Sequence, residues 1–434
     1  MLLEQIANQP VLILGFGREG RSTYHFLRSR FPDLPLAVAD KSRDQTAYDD
    51  DRLTFYVGPD YLKSLVDFPI IIKTPGIPPN LPEIRQAKRR GNTITSQTQI
   101  FLELCRGKVI GVTGTKGKST TTSLIQHVLQ ATGIPAVLLG NIGTPPLDCL
   151  ELGDEAAYFV FEMSSHQLMD VTRSPHMAVL QNIVPEHLDY YTDFDEYVSA
   201  KANIARFQTA EDYFIFNADF PIPTEIAELT TARKLPFSLQ DFDPKIKSRL
   251  IGDFNKYNIL PATIIGDLLA LPKDQVYAAI ADFSPLEHRL QLVGVYRGIS
   301  FYDAALSTVP EATISAIEAL GDTVCTLICG GYERQQNYRE LARKILRSQI
   351  EVVILFPTTG QRIWAEIEQA NETAKPIRHF FVDNMGDAVK LAGQYTRSNM
   401  SCLLAPAAPS FAVFRDYVDE AQQYKQRIVE LAKG

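Results

Sequence analysis

The sequence predicts an α/β protein of three domains, spanning residues 1–97, 98–290 and 291–434. A chain of 434 residues is long enough for two or three domains of ordinary size. Two glycine-rich turns each join an apolar strand to a helix, which is typical of nucleotide-binding α/β domains. Strand and helix patterns alternate along the chain, and this alternation predicts parallel, doubly wound sheets.

The composition and charge of the chain exclude several classes of protein. Hydrophobic residues make up 45% and charged residues 22%, as in ordinary globular proteins. The net charge of −8 argues against a nucleic-acid binder, which is usually basic. No apolar run reaches the roughly 18 residues of a membrane helix, and the N-terminus lacks the basic segment of a signal peptide. Five scattered cysteines suit a reducing compartment, so we expect a cytoplasmic protein. We also expect a monomer without membrane insertion.

The first glycine-rich turn lies in the first domain. An apolar strand at 11–14 leads into the turn GFGREG at 15–20 and then into a helical stretch at 22–30. A second strand, 36–39, ends in Asp40, about twenty residues beyond the turn. A G-x-G-x-x-G turn in this context, followed by an acid at this spacing, predicts a dinucleotide site.

Further strands are predicted along all three domains. One of them runs into the tight turn Thr74-Pro75-Gly76, at the strand end where such sheets bind ligands. The predicted strands are 70–73 in the first domain, 109–113, 158–161 and 177–180 in the second, and 323–329, 351–356 and 400–404 in the third.

The second glycine-rich turn, in VIGVTGTKGKSTT at 109–121, predicts a phosphate-binding loop. The usual spacing, G-x-x-x-x-G-K-[ST], requires glycine at 113, where this chain has Thr113. Backbone N–H groups of the loop can bind a triphosphate at the start of the helix predicted at 119–132. Lys118 is then expected near the β- and γ-phosphates, and Ser119 on Mg²⁺. The alternative is a glycine turn with a chance Gly-Lys-Ser.

Two polar residues of the second domain, Glu162 and His187, fit a divalent cation together with Ser119 of this loop. Glu162 ends a predicted strand, His187 follows another, and Lys201 comes fourteen residues later. Carboxylate, imidazole and hydroxyl groups can together bind an ion that bridges phosphates. Taken alone, His187 could equally be a hydrogen-bonded core histidine, and Lys201 a solvated helix residue.

At this point the sequence resembles the Mur ligase family. The loop Gly114 to Thr120 matches the family pattern G-T-x-G-K-[ST]-[ST], in which a threonine commonly precedes the loop. The resemblance extends over essentially the whole chain. Its other motifs are GNIG (140–143), FEMSSHQL (161–168), PEHLDYY (185–191), SAKANI (199–204), GDFNKYN (252–258), LEHRL (286–290), FYDAALSTVPEAT (301–313) and GGYERQQNY (330–338).

The N-terminal motifs LGFGREG and TPGI look like the glutamate-adding branch of this family. The resemblance implies a Rossmann-like UDP-binding domain, a central P-loop ATPase-like parallel sheet and a C-terminal Rossmann-like α/β domain. For the first domain, the resemblance implies that the ligand of the glycine-rich turn is a UDP-sugar and not a nicotinamide dinucleotide. The residues implied in that site are Gly15, Phe16, Gly17, Arg18, Asp40, Lys41, Thr74, Pro75 and Gly76.

The resemblance also implies the other sites. ATP would contact Gly114, Thr115, Lys116, Gly117, Lys118, Ser119, Thr120, Asn141, Asn258, Arg289 and Asp303. Two Mg²⁺ ions would be held by Ser119, Glu162, His187 and Lys201, the last as a CO₂-derived carbamate. Lys118, Glu162, His187 and Lys201 would form the catalytic set, and Thr308, Arg334, Ser410 and Phe414 the amino-acid site.

The implied activity is ATP-dependent addition of glutamate to UDP-N-acetylmuramoyl-L-alanine through an acyl phosphate, in peptidoglycan precursor synthesis. Several departures from the branch pattern surround the amino-acid site: Ala305 and Leu306 replace serine and lysine, Arg334 replaces a lysine, Ala412 replaces an acid, and Glu420-Ala421 replaces Arg-Gly. D-glutamate is favoured by the N-terminal segment and by Arg334 and Ser410. L-glutamate or another acidic amino acid, a folylpolyglutamate-synthase-like enzyme, and a non-catalytic nucleotide-binding relative stay open.

Overall fold

The computed structural model describes residues 2–43, 48, 50–154, 158–186, 190–372 and 374–433. His187, a predicted metal ligand, lies outside the described residues. The strands are β1 (Val11–Leu14), β2 (Leu36–Asp40), β3 (Leu53–Val57), β4 (Ile70–Lys73), β5 (Thr93–Thr95), β6 (Lys108–Thr113), β7 (Ala136–Gly140), β8 (Tyr158–Glu162), β9 (Met177–Leu180), β10 (Tyr213–Asn217), β11 (Arg233–Phe237), β12 (Gln291–Tyr296), β13 (Ile299–Asp303), β14 (Val324–Gly330), β15 (Val352–Phe356), β16 (Arg378–Phe381) and β17 (Ser401–Leu404).

The α-helices are α1 (Leu2–Ala7), α2 (Arg18–Arg30), α3 (Pro82–Arg89), α4 (Gln97–Leu104), α5 (Lys118–Ala131), α6 (Ser165–Leu168), α7 (Phe194–Arg206), α8 (Pro221–Ala227), α9 (Asp253–Leu268), α10 (Lys273–Asp282), α11 (Pro310–Leu320), α12 (Arg339–Arg347), α13 (Gly360–Ala370), α14 (Met385–Tyr395) and α15 (Tyr417–Lys433). Short 3₁₀ helices occupy Tyr61–Asp67, Pro146–Asp154, Leu239–Asp241, Gly321–Thr323 and Ser410–Ala412.

The first sheet has the order β3-β2-β1-β4-β5, and all its strands are parallel. Every residue of β1 and β4 is buried. Such continuous apolar strands are expected in a parallel sheet, because both of its faces are covered. Successive connections run in opposite directions from β1, so the turns after β1 and β4 meet at a topological switch point, the usual ligand position in open α/β sheets.

The central sheet has the order β11-β10-β9-β6-β8-β7 and is also fully parallel. β6 lies in the interior between β9 and β8, so the loop after β6 opens beside the ends of both neighbours. Helix α5 follows that loop directly, and residues 119–125 of its first turns are all buried. The sheet therefore brings the predicted phosphate loop and the predicted metal ligand Glu162 to one edge.

The third sheet is mixed, with the order β12-β13-β17-β14-β15-β16. β12 pairs with β13 in antiparallel fashion, and the other pairs are parallel. Two buried clusters, one containing Leu327 and Ile363 and the other Ile354 and Tyr424, form the third sheet's core. The switch point lies between β17 and β14, where the chain reverses its direction of winding.

The chain divides into two compact units, residues 1–247 with 256–283, and residues 248–255 with 284–434. The first unit holds the first and central sheets, which share one buried cluster that includes Phe16, Phe101 and Phe161. The second unit holds the third sheet. The predicted α/β class is confirmed, whereas the predicted domain limits at 97/98 and 290/291 stay a prediction. No helix among the described residues is long and apolar enough to cross a membrane.

Candidate functional site

The loop between β6 and α5 has the backbone of a phosphate cradle. Gly114 and Gly117 have φ angles of 151° and 87°, which residues with a Cβ rarely adopt. A Cβ on Gly117 would lie 2.2 Å from Oδ1 of Asn258 on α9. Glycine is thus required both for the turn and for the close approach of Asn258, and the structure brings this predicted ATP contact to the loop.

Thr113 stands where the usual pattern has glycine, and its side chain has a structural partner. The residue is fully buried, and its Oγ1 donates a 2.7 Å hydrogen bond to the carbonyl of Met163, directly beyond β8. The hydroxyl therefore links the end of β6 to the segment that follows Glu162. A β-branched residue also suits the last position of a buried strand.

Two lysines converge on the same loop carbonyl. Nζ of Lys118 donates to the carbonyls of Gly114 and Thr115 at 3.0 and 2.9 Å, and Nζ of Lys201 donates to Gly114 at 2.8 Å. Lys201 is only 1% exposed on α7. Burial, followed by the nearby charge of Lys118, lowers the pKa of Lys201 well below the usual lysine value. Both effects favour the neutral amine of Lys201 more than in an exposed lysine.

Glu162 and Asn141 form the next part of the site. Nδ2 of Asn141 donates to Oε1 of Glu162 at 3.0 Å, while Oε2 is buried and accepts no hydrogen bond from the described residues. An orphaned carboxylate oxygen at a strand end fits Mg²⁺, which binds through one or two carboxylates together with substrate phosphates and water. Among the described residues no group of three or more His, Cys, Asp and Glu side chains could hold a metal by itself.

The segment before His187 is fastened to the phosphate loop. Nζ of Lys116 pairs with the carboxylate of Glu186 at 2.6 Å. The backbone N–H of Lys116 donates to Oδ1 of Asn182 at 3.0 Å. Oγ1 of Thr115 donates to the Val184 carbonyl at 3.1 Å. These bonds fix the chain up to Glu186, one residue before the predicted metal ligand. Ser119 and Thr120 are buried at the start of α5.

The two turns of the first sheet approach each other closely. A Cβ on Gly15 would lie 2.1 Å from Oγ1 of Thr74, whose hydroxyl donates to Leu14 at 3.1 Å. Asp40 accepts from the backbone N–H of Phe16 at 2.6 Å, so it braces the glycine turn. The structure thus brings these predicted UDP-sugar residues together, while the ring of Phe16 is itself fully buried. Gly17, Lys41, Pro75 and Gly76 lie on the same two turns or directly after β2.

Two contacts missed by the sequence analysis join these turns to the central sheet. The guanidinium of Arg18 donates to the carbonyls of Gly140 and Gly143 at 2.7 and 3.2 Å, which are the ends of the GNIG turn that carries Asn141. The hydroxyl of Tyr190 hydrogen-bonds to the carbonyls of Pro75 and Ile77 at 2.9 and 3.0 Å. Burial raises the pKa of Tyr190, so the phenol stays protonated as the donor.

In the second unit, the predicted amino-acid residues follow three adjacent strands. Thr308, Ser410 and Arg334 lie beyond β13, β17 and β14, which are neighbours in the sheet. The segments after β13 and β17 are joined by a backbone hydrogen bond: the Ala407 N–H donates to the Ser307 carbonyl at 2.8 Å. Arg334 is exposed and Ser410 is 4% exposed. Phe414 is buried, with its ring packed edge-on against Phe356, so it is a core residue beside the segment.

The predicted ATP contacts Arg289 and Asp303 also lie in the second unit. Arg289 is exposed, whereas Asp303 is fully buried and hydrogen-bonds to Nδ1 of His288 at 2.8 Å. Glu420, which replaces the arginine of the branch pattern, is 1% exposed, and neither of its carboxyl oxygens has a hydrogen-bond partner among the described residues. Burial, then the charge of Asp303, raises the pKa of Glu420 well above the usual glutamate value.

Two cavities lie apart from these residues. One of about 370 Å³ in the first unit is lined by Asp243, Lys273 and Tyr277 among others. One of about 310 Å³ in the second unit is lined by Thr358, Gln361 and Phe381 among others. Their linings include none of the predicted site residues, so the chemistry is assigned from strand ends rather than from cavity size.

Comparison with known proteins identifies the family. Residues 112–243 match the Mur ligase middle domain, the segment that holds the phosphate loop, Glu162 and Lys201. A UDP-N-acetylmuramoylalanine–D-glutamate ligase of Symbiobacterium thermophilum is 33% identical over 86% of this chain and 87% of that protein. This chain belongs to the Mur ligase family. The predictions of an ATP-dependent ligase and of a role in peptidoglycan synthesis are therefore confirmed.

Two further relatives cover almost the whole chain. A UDP-N-acetylmuramoylalanine–D-glutamate ligase of Acetivibrio thermocellus is 30% identical over 98% of this chain and 97% of that protein. A UDP-N-acetylmuramoyl-L-alanine–L-glutamate ligase of Xanthomonas euvesicatoria pv. vesicatoria is 31% identical over 98% of this chain and 96% of that protein. This Mur ligase is thus similar to enzymes of both names, at comparable identity.

Solved structures share the fold of this Mur ligase. The UDP-N-acetylmuramate–alanine ligase MurC of Thermotoga maritima matches with a TM-score of 0.61 at 18% identity, covering 98% of this chain and all of that one. The MurF ligase of Thermotoga maritima in complex with ADP matches with a TM-score of 0.60 at 16% identity, covering 97% of this chain and 95% of that one. At these identities the likeness concerns the fold alone.

Proposed function

We propose that this Mur ligase adds D-glutamate to UDP-N-acetylmuramoyl-L-alanine in the cytoplasm, as a monomer, with ATP and Mg²⁺. One observation carries the proposal: the phosphate loop, two lysines on the Gly114 carbonyl and Oε2 of Glu162, which has no hydrogen-bond partner among the described residues, lie together at one edge of the central sheet. The names of relatives that are 30–33% identical over most of the chain support the choice of acceptor and of glutamate.

In the proposed reaction, the alanine carboxylate of the acceptor attacks the γ-phosphorus of ATP, and ADP leaves. The acyl phosphate that forms is attacked by the amino group of glutamate, and phosphate leaves as the amide forms. Lys118 exchanges its bonds to Gly114 and Thr115 for the phosphate oxygens and stabilises the charge that develops there. Backbone N–H groups at the start of α5 bind the other phosphates.

Mg²⁺ would supply further neutralisation of phosphate charge when bound. Ser119, Glu162, His187 and Lys201 would hold two ions between them. Oε2 of Glu162 supports this assignment, because it is buried without a partner in the described part of the chain, which is costly unless a cation binds it. Asn141 then orients Glu162 through its 3.0 Å bond.

The carbamate on Lys201 is supported by burial. A neutral amine is the form of lysine that reacts with CO₂, and the lowered pKa of Lys201 favours that form. The carbamate would place an anion beside the charge of Lys118, and it would add oxygen ligands for a hard metal.

The handedness of the glutamate rests on the similarity of the N-terminal segment and on Arg334 and Ser410. The L-glutamate ligase of Xanthomonas euvesicatoria pv. vesicatoria gives a second candidate, because its 31% identity falls within the range of the D-glutamate ligases. Exposed Arg334 can bind a carboxylate of either isomer in a bidentate manner.

Phosphate release from ATP tests the proposal directly. The protein is mixed with ATP, Mg²⁺ and UDP-N-acetylmuramoyl-L-alanine, and D- and L-forms of glutamate, aspartate and glutamine are added separately. We expect release with D-glutamate and a product heavier by one glutamyl residue. Turnover with L-glutamate alone would reverse the handedness, and no acceptor-dependent release with any amino acid would favour a non-catalytic relative.

A further inference from the structure

Arg362, a residue of α13 that no motif contains, organises the segment that carries Arg334. Its Nη1 lies 2.6 Å from both carboxyl oxygens of Glu333, and its Nη2 donates to the Gln336 carbonyl at 2.9 Å. Its guanidinium also lies 5.4 Å from the ring centroid of Tyr338. Arg362 therefore contacts the chain immediately before Arg334, two residues after it and four residues after it.

The same segment is tied down on its other side. Oγ1 of the fully buried Thr359, just before α13, accepts the Gly331 N–H at 2.9 Å. Nε2 of Gln336 donates to the Thr308 carbonyl at 3.2 Å, which joins the Arg334 segment to the segment after β13. Arg362 and Thr359 are thus two points at which the start of α13 sets the geometry of the predicted amino-acid site.

The charge at Glu333 gives this arrangement a consequence for specificity. Glu333 is adjacent in sequence to Arg334, and an unpaired carboxylate there would oppose the binding of a dicarboxylic amino acid. Pairing with Arg362 lowers the pKa of Glu333, so the carboxylate stays ionised and in contact with the guanidinium. Because Glu333 is paired with Arg362, the carboxylate of Glu333 does not neutralise the guanidinium of Arg334.

We infer that Arg362 is a positioning and specificity-determining residue for the acidic amino acid: by pairing with Glu333 it orients the Arg334 segment and neutralises a carboxylate beside the site. This inference rests on the proposed function. The substrate selected in this way is an amino acid whose side chain carries a negative charge, rather than its uncharged amide.

Steady-state kinetics of the full-length protein test the inference through a double-mutant cycle of Arg362 and Glu333. Arg362→Gln exposes the Glu333 charge and should raise the KM for glutamate roughly five- to tenfold. The KM values for ATP and acceptor should stay within about twofold, because those sites depend on other segments. Glu333→Gln combined with Arg362→Gln removes the exposed charge and should restore most of the glutamate KM. The KM for glutamine should change much less than that for glutamate in Arg362→Gln.

A matched control and a second variant keep the result interpretable. Arg427→Gln breaks an exposed pair with Glu430 on α15, at 2.7 Å, with the same change of charge, and should leave the glutamate KM unchanged. If Arg362→Gln does not fold, Arg362→Met, which also removes the charge, and its combination with Glu333→Gln provide the same comparison. An unchanged KM in the single variant, or a double variant as impaired as the single, overturns the inference. Absence of glutamate-dependent turnover in the unmutated protein contradicts the proposed function instead.

Discussion

The phosphate loop in the first unit and the amino-acid segments in the second unit are built in opposite ways. Beside the loop, Lys201 and Glu162 are each 1% exposed; Lys201 donates to the Gly114 carbonyl, and Glu162 accepts from the side chain of Asn141. Around the amino-acid segments, Arg334 is exposed and its neighbour Glu333 pairs with a partly exposed arginine. The departures from the branch pattern also collect in the second unit, and one of them is the exposed Arg334. Buried charges tolerate little change, because losing one partner leaves the other unpaired, whereas exposed ones can be exchanged.

The largest expected effect is on the buried side of this comparison. Lys118→Ala removes the cation expected on the transferring phosphoryl group and should reduce ATP turnover by roughly a thousandfold. Binding of the UDP-sugar should be retained, because the turns after β1 and β4 do not use Lys118. Phosphate release and UDP-sugar binding by calorimetry measure the two quantities. Unchanged turnover would contradict the assignment of the phosphate loop.

Lys201→Ala should lower turnover by roughly a hundredfold, because it removes an oxygen ligand that the carbamate would supply. Added acetate or formate should restore part of the activity by occupying the emptied position. Lys234→Ala is the matched control, since Lys234 is a lysine of the same unit that lies on the edge strand β11 and pairs with Glu228 at 2.9 Å. Near-normal turnover of Lys201→Ala at ordinary Mg²⁺ would contradict the carbamate.

The parts of the molecule that the sequence predicted follow the same division. Interior strands such as β1, β4 and β9 match the predicted bounds, because continuous apolar runs mark strands buried on both faces. The strands that were not predicted are β3, β5, β7, β10, β11, β12, β13 and β16, and of these β10 is a buried apolar strand in the sheet interior. β3 is only partly buried, and β11 is an edge strand with Pro236 in its middle, so neither has an uninterrupted apolar run.

The candidate site divides in a comparable manner. The phosphate loop was predictable because its residues are contiguous and their spacing carries the chemistry. Arg362 and Tyr190 were not, because their partners lie 29 and 115 residues away along the chain. Such contacts depend on which strands become neighbours, and a single sequence does not encode that order locally.

On the exposed side, Arg334→Ala should raise the apparent KM for glutamate by roughly ten- to a hundredfold. A charge-assisted bond to a carboxylate contributes about 1.5–3 kcal/mol, which corresponds to that range. The KM for ATP should barely change. Kinetics with varied glutamate and varied ATP make the comparison, with Arg343→Ala, an exposed arginine of α12, as the control. A change confined to the KM for ATP would contradict the alignment of the second unit.

The smallest expected effect on turnover comes from Glu420, where the second unit has a buried charge of its own. Because the pKa of Glu420 is raised above 4.5 on folding, the folded unit retains a proton that the unfolded chain releases. The stabilisation is complete below pH 4.5 and is lost as the pH rises toward the folded pKa, at up to about 1.4 kcal/mol per pH unit. Glu420→Gln keeps the shape of the side chain but cannot titrate, so the stability of this variant should fall less with rising pH.

The fluorescence of Trp364, the single tryptophan, reports urea unfolding of the second unit. Glu430→Gln is the control: a hydrogen bond from Arg427 lowers the pKa of Glu430, so its contribution is lost as the pH falls. Parallel pH profiles for the unmutated protein and Glu420→Gln would show that Glu420 is ionised in the fold.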